Sequence, residues 1–165
     1  MFRHLFLVIL DIKKKKIMDI SLFLQKYNTE ILNNAVNELS RSHLKSYDKA
    51  SLETNRYRLK KLFELCISSV ANKNLLGMIE YSEKIARERY ESGFDLHELH
   101  AAYNVLEESI WKKILEDVEP AKLGEYLGLI STVLGAGKET LALTYVSLAS
   151  KIKSKTLDLS GIFQR

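Results

Sequence analysis

Three short stretches carry residue types and spacings that could do chemistry. The first is Gly135-Ala136-Gly137-Lys138-Glu139-Thr140. A phosphate-binding loop needs a glycine five residues before its Gly-Lys pair and a hydroxyl straight after it, so that backbone amides wrap the phosphates and the hydroxyl reaches magnesium. Here Thr132 stands where that glycine belongs and Glu139 where the hydroxyl belongs. A carboxylate at that point repels phosphate. Apolar residues at helical spacing also run through the motif, from Leu123, Leu127, Ile130 and Leu134 to Leu141, Tyr145, Leu148 and Ile152. The stretch therefore reads as one long helix, with Gly135 and Gly137 at a close crossing of another helix.

The second is His97-Glu98-Leu99-His100. A zinc-protease helix needs histidines at i and i+4 to reach one metal, and these are one residue too close, with no third ligand in view. A phosphoacceptor histidine would be followed by a basic residue and a proline, whereas His100, Ala101 and Ala102 follow here. A face-level reading remains. His97, His100, Asn104, Glu107 and Trp111 form a second stripe beside the apolar stripe of the same helix. Of these, His97, His100, Asn104 and Trp111 are the candidate cofactor-binding residues, with haem as the cofactor two imidazoles would serve. Without a cofactor they are partly exposed residues near a helix start. No residue is assigned a catalytic or metal-binding role.

The third is the basic and aromatic segment from Lys45 to Phe63, interrupted by Asp48 and Glu53, which reads as a solvated helix face. Nucleic-acid binding has no further support. Arg3 and Lys13 to Lys16 against Asp11 account for the whole net charge of +4. Cys66, the sole cysteine, forms no internal disulfide and fits a reducing, cytoplasmic setting.

The elements that must position these residues are helices. The chain of 165 residues, with one proline and seven glycines, suits a single all-α domain: a bundle of about five helices, with a globin-like and a plain antiparallel arrangement both open. Residues 1–17 form a leader whose apolar run is too short to span a bilayer and whose lysines follow that run, unlike a secretory signal. It reads as a membrane-surface anchor or as sequence upstream of a start at Met18. The helical domain covers 18–154 and a tail 155–165.

Helix one is expected from Asp19 to Arg41, followed by a loop over His43 to Ser51. Helix two follows from Leu52 to Ala71, with Leu59, Leu62, Phe63, Cys66 and Val70 inward. Helix three, from Leu75 to Glu91, turns Leu75, Ile79, Ala86 and Tyr90 inward and ends at Gly93. Asp95 and Glu98 form a capping box for helix four, whose stripe is Leu96, Leu99, Tyr103, Leu106, Ile110 and Ile114. Pro120 opens helix five, which reaches about Ser154 unless it breaks at the glycines.

Between Tyr126 and Ser150 helix five carries only two charges, Lys138 and Glu139. A surface helix of a monomer shows a charged back face. Tyr126, Leu129, Val133, Leu143 and Val146 lie off its main stripe and are the candidate interface of a homodimer.

The stretch YSEKIARERYESGFDLHELHAAYNVLEESIWKKI resembles the central signature of the RsbRD-type N-terminal domain of RsbT co-antagonist proteins and some bacterial sensor kinases. The shared pattern is Ala-Arg-Glu-Arg at Ala86 to Arg89, Gly93, Leu96, Glu98-Leu99 and Ala102-Tyr103. LQKYNTEILNNAVNEL resembles its opening helix and ALTYVSLAS its closing one, so that the likeness spans Ile20 to Lys153. The resemblance implies a non-enzymatic sensory input domain, dimeric, related in style to non-haem globin-like domains of stressosome proteins. It supplies no fixed ligand. With the sequence ending at Arg165, it also implies a regulatory protein partner in trans.

Overall fold

The structure is a computed structural model that describes residues 19–156. The expectations for the leader and for residues 157–165 lie outside them. Seven helices are present among the described residues, and no strand. They are α1 (Ile20–Lys26), α2 (Asn28–Arg41), α3 (Lys45–Asp48), α4 (Leu52–Asn72), α5 (Leu76–Glu91), α6 (Leu96–Asp117) and α7 (Pro120–Thr156). No helix among them is long and apolar enough to cross a membrane.

The all-helical expectation holds, and local caps, those expected at Gly93 and Pro120 among them, explain several boundaries. The Ser51 hydroxyl accepts from the Thr54 N–H at 3.1 Å to start α4. Lys73 ends α4 in the left-handed conformation, at φ 50°. Gly93 ends α5 at φ 75°, where the Phe94 N–H reaches back to the Arg89 carbonyl at 3.0 Å. Pro120 is the first residue of α7.

Two boundaries differ from the sequence reading. The first expected helix is two, parted at Tyr27 (φ −99°, ψ 14°). The Tyr27 ring packs 4.9 Å from that of Phe23 and under the Lys113 ammonium at 4.4 Å. The bend lets α1 lie on α4 while α2 continues along α6 and α4. Inside the expected loop, α3 forms around the buried Tyr47; a four-residue turn has too few positions to show an apolar period. In contrast α7 runs through both glycines without a break.

The core is one continuous cluster fed by all seven helices. The inward residues expected of α4 and α6 are buried, except Leu96, which is partly buried. The α5 expectation needs correction at Ile79, which is 37% exposed, while Met78, Ser82 and Ala86 are buried. The helix is turned by about one residue relative to its apolar pattern. Two of its inward residues, Met78 and Ser82, meet α7 at Gly137. Helix α7 lies along both α5 and α6.

Candidate functional site

The histidine stripe of α6 and the glycine-lysine stretch of α7, far apart in sequence, meet at one crossing. Gly137 is its closest point. A Cβ built there would stand 2.6 Å from Tyr103 Cε1, 3.0 Å from Ser82 Oγ and 3.1 Å from Met78 Sδ. Only glycine leaves room for the Tyr103 ring, whose hydroxyl shares a 2.7 Å hydrogen bond with the Ser82 hydroxyl. The close crossing expected of the glycines is therefore made by Gly137. Nothing lies within 4 Å of the equivalent point on Gly135.

One residue further, Lys138 turns toward α6. Its ammonium donates to Glu107 Oε2 at 2.7 Å and to Asn104 Oδ1 at 3.2 Å. The Lys138 carbonyl lies 3.2 Å from His100 Nε2. A carbonyl only accepts, so this contact places the imidazole proton on Nε2. Glu107 is buried, and Lys138 is its ion-pair partner across the seam. The second α6 stripe is thus largely occupied by α7. His100, Asn104 and Glu107 join the seam, His97 stays exposed, and Trp111 lies half out of the surface.

That contact takes one imidazole nitrogen of His100 out of haem ligation. His100 Nε2 carries a proton toward a carbonyl and has no lone pair to offer iron from that nitrogen. His97 projects into solvent. Among the described residues no group of three or more His, Cys, Asp or Glu side chains is placed to hold a metal ion.

A second site lies on the other side of α6 and was not legible in the sequence. A cavity of about 30 Å³ opens among α3, α4, α5 and α6. Arg58 and Arg89 both line it, as do Tyr47, Tyr81 and Tyr103. The Phe94 ring packs against both guanidiniums, its centre 5.6 Å from Arg58 and 5.0 Å from Arg89. The Tyr47 ring meets Phe94 edge-on at 5.8 Å. Burial, and next the neighbouring Arg89 charge, lower the Arg58 pKa from its ordinary value. Burial pushes the Tyr47 and Tyr103 phenols well above theirs, so both stay protonated donors. Reading Lys45 to Phe63 as a solvated face therefore fails at Tyr47, which is buried, and at Arg58, which is half-buried at the cavity.

Two contacts hold this corner in place. Glu98, buried at the start of α6, accepts from the Ser46 N–H at 2.8 Å, the Ser46 hydroxyl at 2.6 Å and the Asp95 N–H at 3.2 Å. The capping box expected from sequence thus also ties α3, and with it Tyr47, to α6. The Tyr145 hydroxyl of α7 donates to the Phe94 carbonyl at 3.2 Å.

The candidate interface residues divide. Tyr126 and Val133 are each only 4% exposed and belong to the chain's own core, which corrects their assignment to an outer face. They fall at the edge of the apolar stripe, close enough for α7 to bury them against its own neighbours. Leu143 and Val146 are 65% and 62% exposed, and Leu129 is exposed one helical face away from the core.

Comparison of the chain with known protein families, with characterised proteins and with solved structures returned no match.

Proposed function

We propose that the protein is a non-enzymatic helical input module that self-associates through the outer face of α7 and passes a change in helix packing to a protein partner. The single observation that carries this reading is the direction of Lys138. Of the two charges between Tyr126 and Ser150, Lys138 turns inward to Glu107. Glu139 is then the one charge left outside on that stretch, beside exposed Leu129, Leu143 and Val146. A face of that length with one charge suits burial against a second copy. The resemblance to RsbRD-type N-terminal domains supports the same reading and adds a regulatory partner in trans and a cytoplasmic setting.

The seam between α6 and α7 is the element that would move. It combines a tight glycine crossing with a partly buried ion pair, so that a small slide of α7 breaks or remakes defined contacts. The test is light scattering of the full chain from about 1 to 100 μM, together with Leu143→Glu and Val146→Glu. The expected result is a dimer that both variants convert to a monomer with unchanged helical content. A monomer across the range sinks the reading.

A further inference from the structure

Arg58 and Arg89 reach the same cavity from α4 and α5, and no carboxylate pairs with either guanidinium among the described residues. Arg58 has one polar side-chain partner, Asn55 Oδ1 at 3.2 Å, and Arg89 has the Phe94 ring. Elsewhere this chain pairs its cations freely: Arg41 with Glu38, Arg87 with Glu83, Lys113 with Glu30 and Asp117. Two half-buried like charges held together without a counter-charge cost Coulomb energy that a bound anion removes. Ring contacts with Phe94 and Tyr47 offset only part of it.

The rest of the cavity says what kind of anion fits. Leu59, Leu62, Ile85, Leu99 and Ala102 give the cavity an aliphatic lining beside the two arginines. The Tyr81 ring lines the same space, and burial keeps its phenol protonated. Two arginines and an aliphatic lining in one cavity match a ligand with one anionic end and a short hydrocarbon end. One water needs roughly 10–15 Å³ of such space, so a volume of about 30 Å³ admits a tail of roughly two or three carbons.

We infer that Arg58, Arg89 and the cavity behind them form a binding site for a small aliphatic monocarboxylate. The carboxylate lies between the two guanidiniums, where each can donate paired N–H groups. The tail lies against Leu59, Leu62 and Leu99. The Phe94 ring packs against both arginines. Its own position is fixed by the edge of Tyr47 and, through its carbonyl, by the Tyr145 hydroxyl of α7. This site does not depend on whether the chain self-associates.

The test is a titration of the full chain with sodium butyrate at constant ionic strength, followed by calorimetry and by the shift in melting temperature. Acetate, hexanoate, butyramide and inorganic phosphate are run alongside. Saturable binding of butyrate, stronger than acetate and absent with butyramide, is the expected result. Arg58→Gln and Arg89→Gln should each weaken it at least about tenfold, with the helical spectrum retained. Ala102→Leu fills the cavity without removing a charge, and should block butyrate even if an arginine variant fails to fold. No saturable binding from acetate to hexanoate overturns the inference. So does equal binding of butyramide, tighter binding of phosphate, or butyrate binding that survives both Ala102→Leu and the folded arginine variants.

Discussion

The Lys138 ammonium stands 2.7 Å from Glu107 Oε2, bridging α7 to α6 across the seam. Their side chains are only 25% and 12% exposed, so neither charge is well hydrated without the other. Lys138→Met leaves the Glu107 carboxylate with no cation and should cost about 1–3 kcal/mol in urea unfolding. Adding Glu107→Leu should recover most of that loss, because a matched apolar pair no longer buries a charge. A double-mutant cycle measures the coupling, and strictly additive effects would show the pair to be independent.

The two glycines of α7 should respond oppositely to the same methyl group. At Gly137 the added carbon would crowd Tyr103, Ser82 and Met78, three side chains packed in the core. Gly137→Ala is expected to destabilise by about 1–3 kcal/mol. At Gly135 the position is open, so the gain in helix propensity is unopposed and Gly135→Ala should stabilise by up to about 1 kcal/mol. Thermal melts of the two variants decide it, and equal shifts of the same sign would contradict the crossing described here.

Glu98 makes stability depend on pH in one direction. Burial alone would raise its pKa. The Ser46 hydroxyl and N–H and the Asp95 N–H outweigh burial and hold it below the ordinary glutamate value. A depressed carboxylate stabilises the fold above its unfolded pKa, about 4.3, and that contribution is lost as pH falls through the folded pKa. Glu98→Gln has one oxygen where three donors converge, and should be about 1–2 kcal/mol less stable at pH 7. The gap between wild type and variant should narrow below about pH 4. Unfolding curves that stay equally spaced from neutral pH into acid would contradict this.

Haemin should give no saturable Soret band. His100 offers a protonated nitrogen to the Lys138 carbonyl, and the cavity beside α6 contains neither His100 nor His97. A sharp, stoichiometric band that disappears in His97→Ala or His100→Ala would reverse this and require α7 to move away from His100.

What the sequence by itself determined is local. The periods of α4 and α6, the Asp95–Glu98 box, the left-handed Gly93 and the proline start of α7 depend on residues within a few positions of each other, and each is present. Its weak points were those where the local pattern is short or has to yield. Four residues of α3 show no period. The Ile79 face lost to Met78 and Ser82 because those side chains fit against Gly137. Tertiary structure alone decided that Lys138 would meet Glu107, although the sequence had drawn attention to each, Glu107 on the second stripe of α6 and Lys138 in the glycine-lysine stretch of α7. It also took Tyr126 and Val133 into the core and left Leu143 and Val146 outside. Most remote from the sequence is the arginine cavity. Tyr47, Arg58, Arg89 and Tyr103 come from four helices, and no spacing along the chain encodes the distance between side chains on different helices. That distance follows from how close the helices pack, and at α5, α6 and α7 it is set by the missing side chain of Gly137.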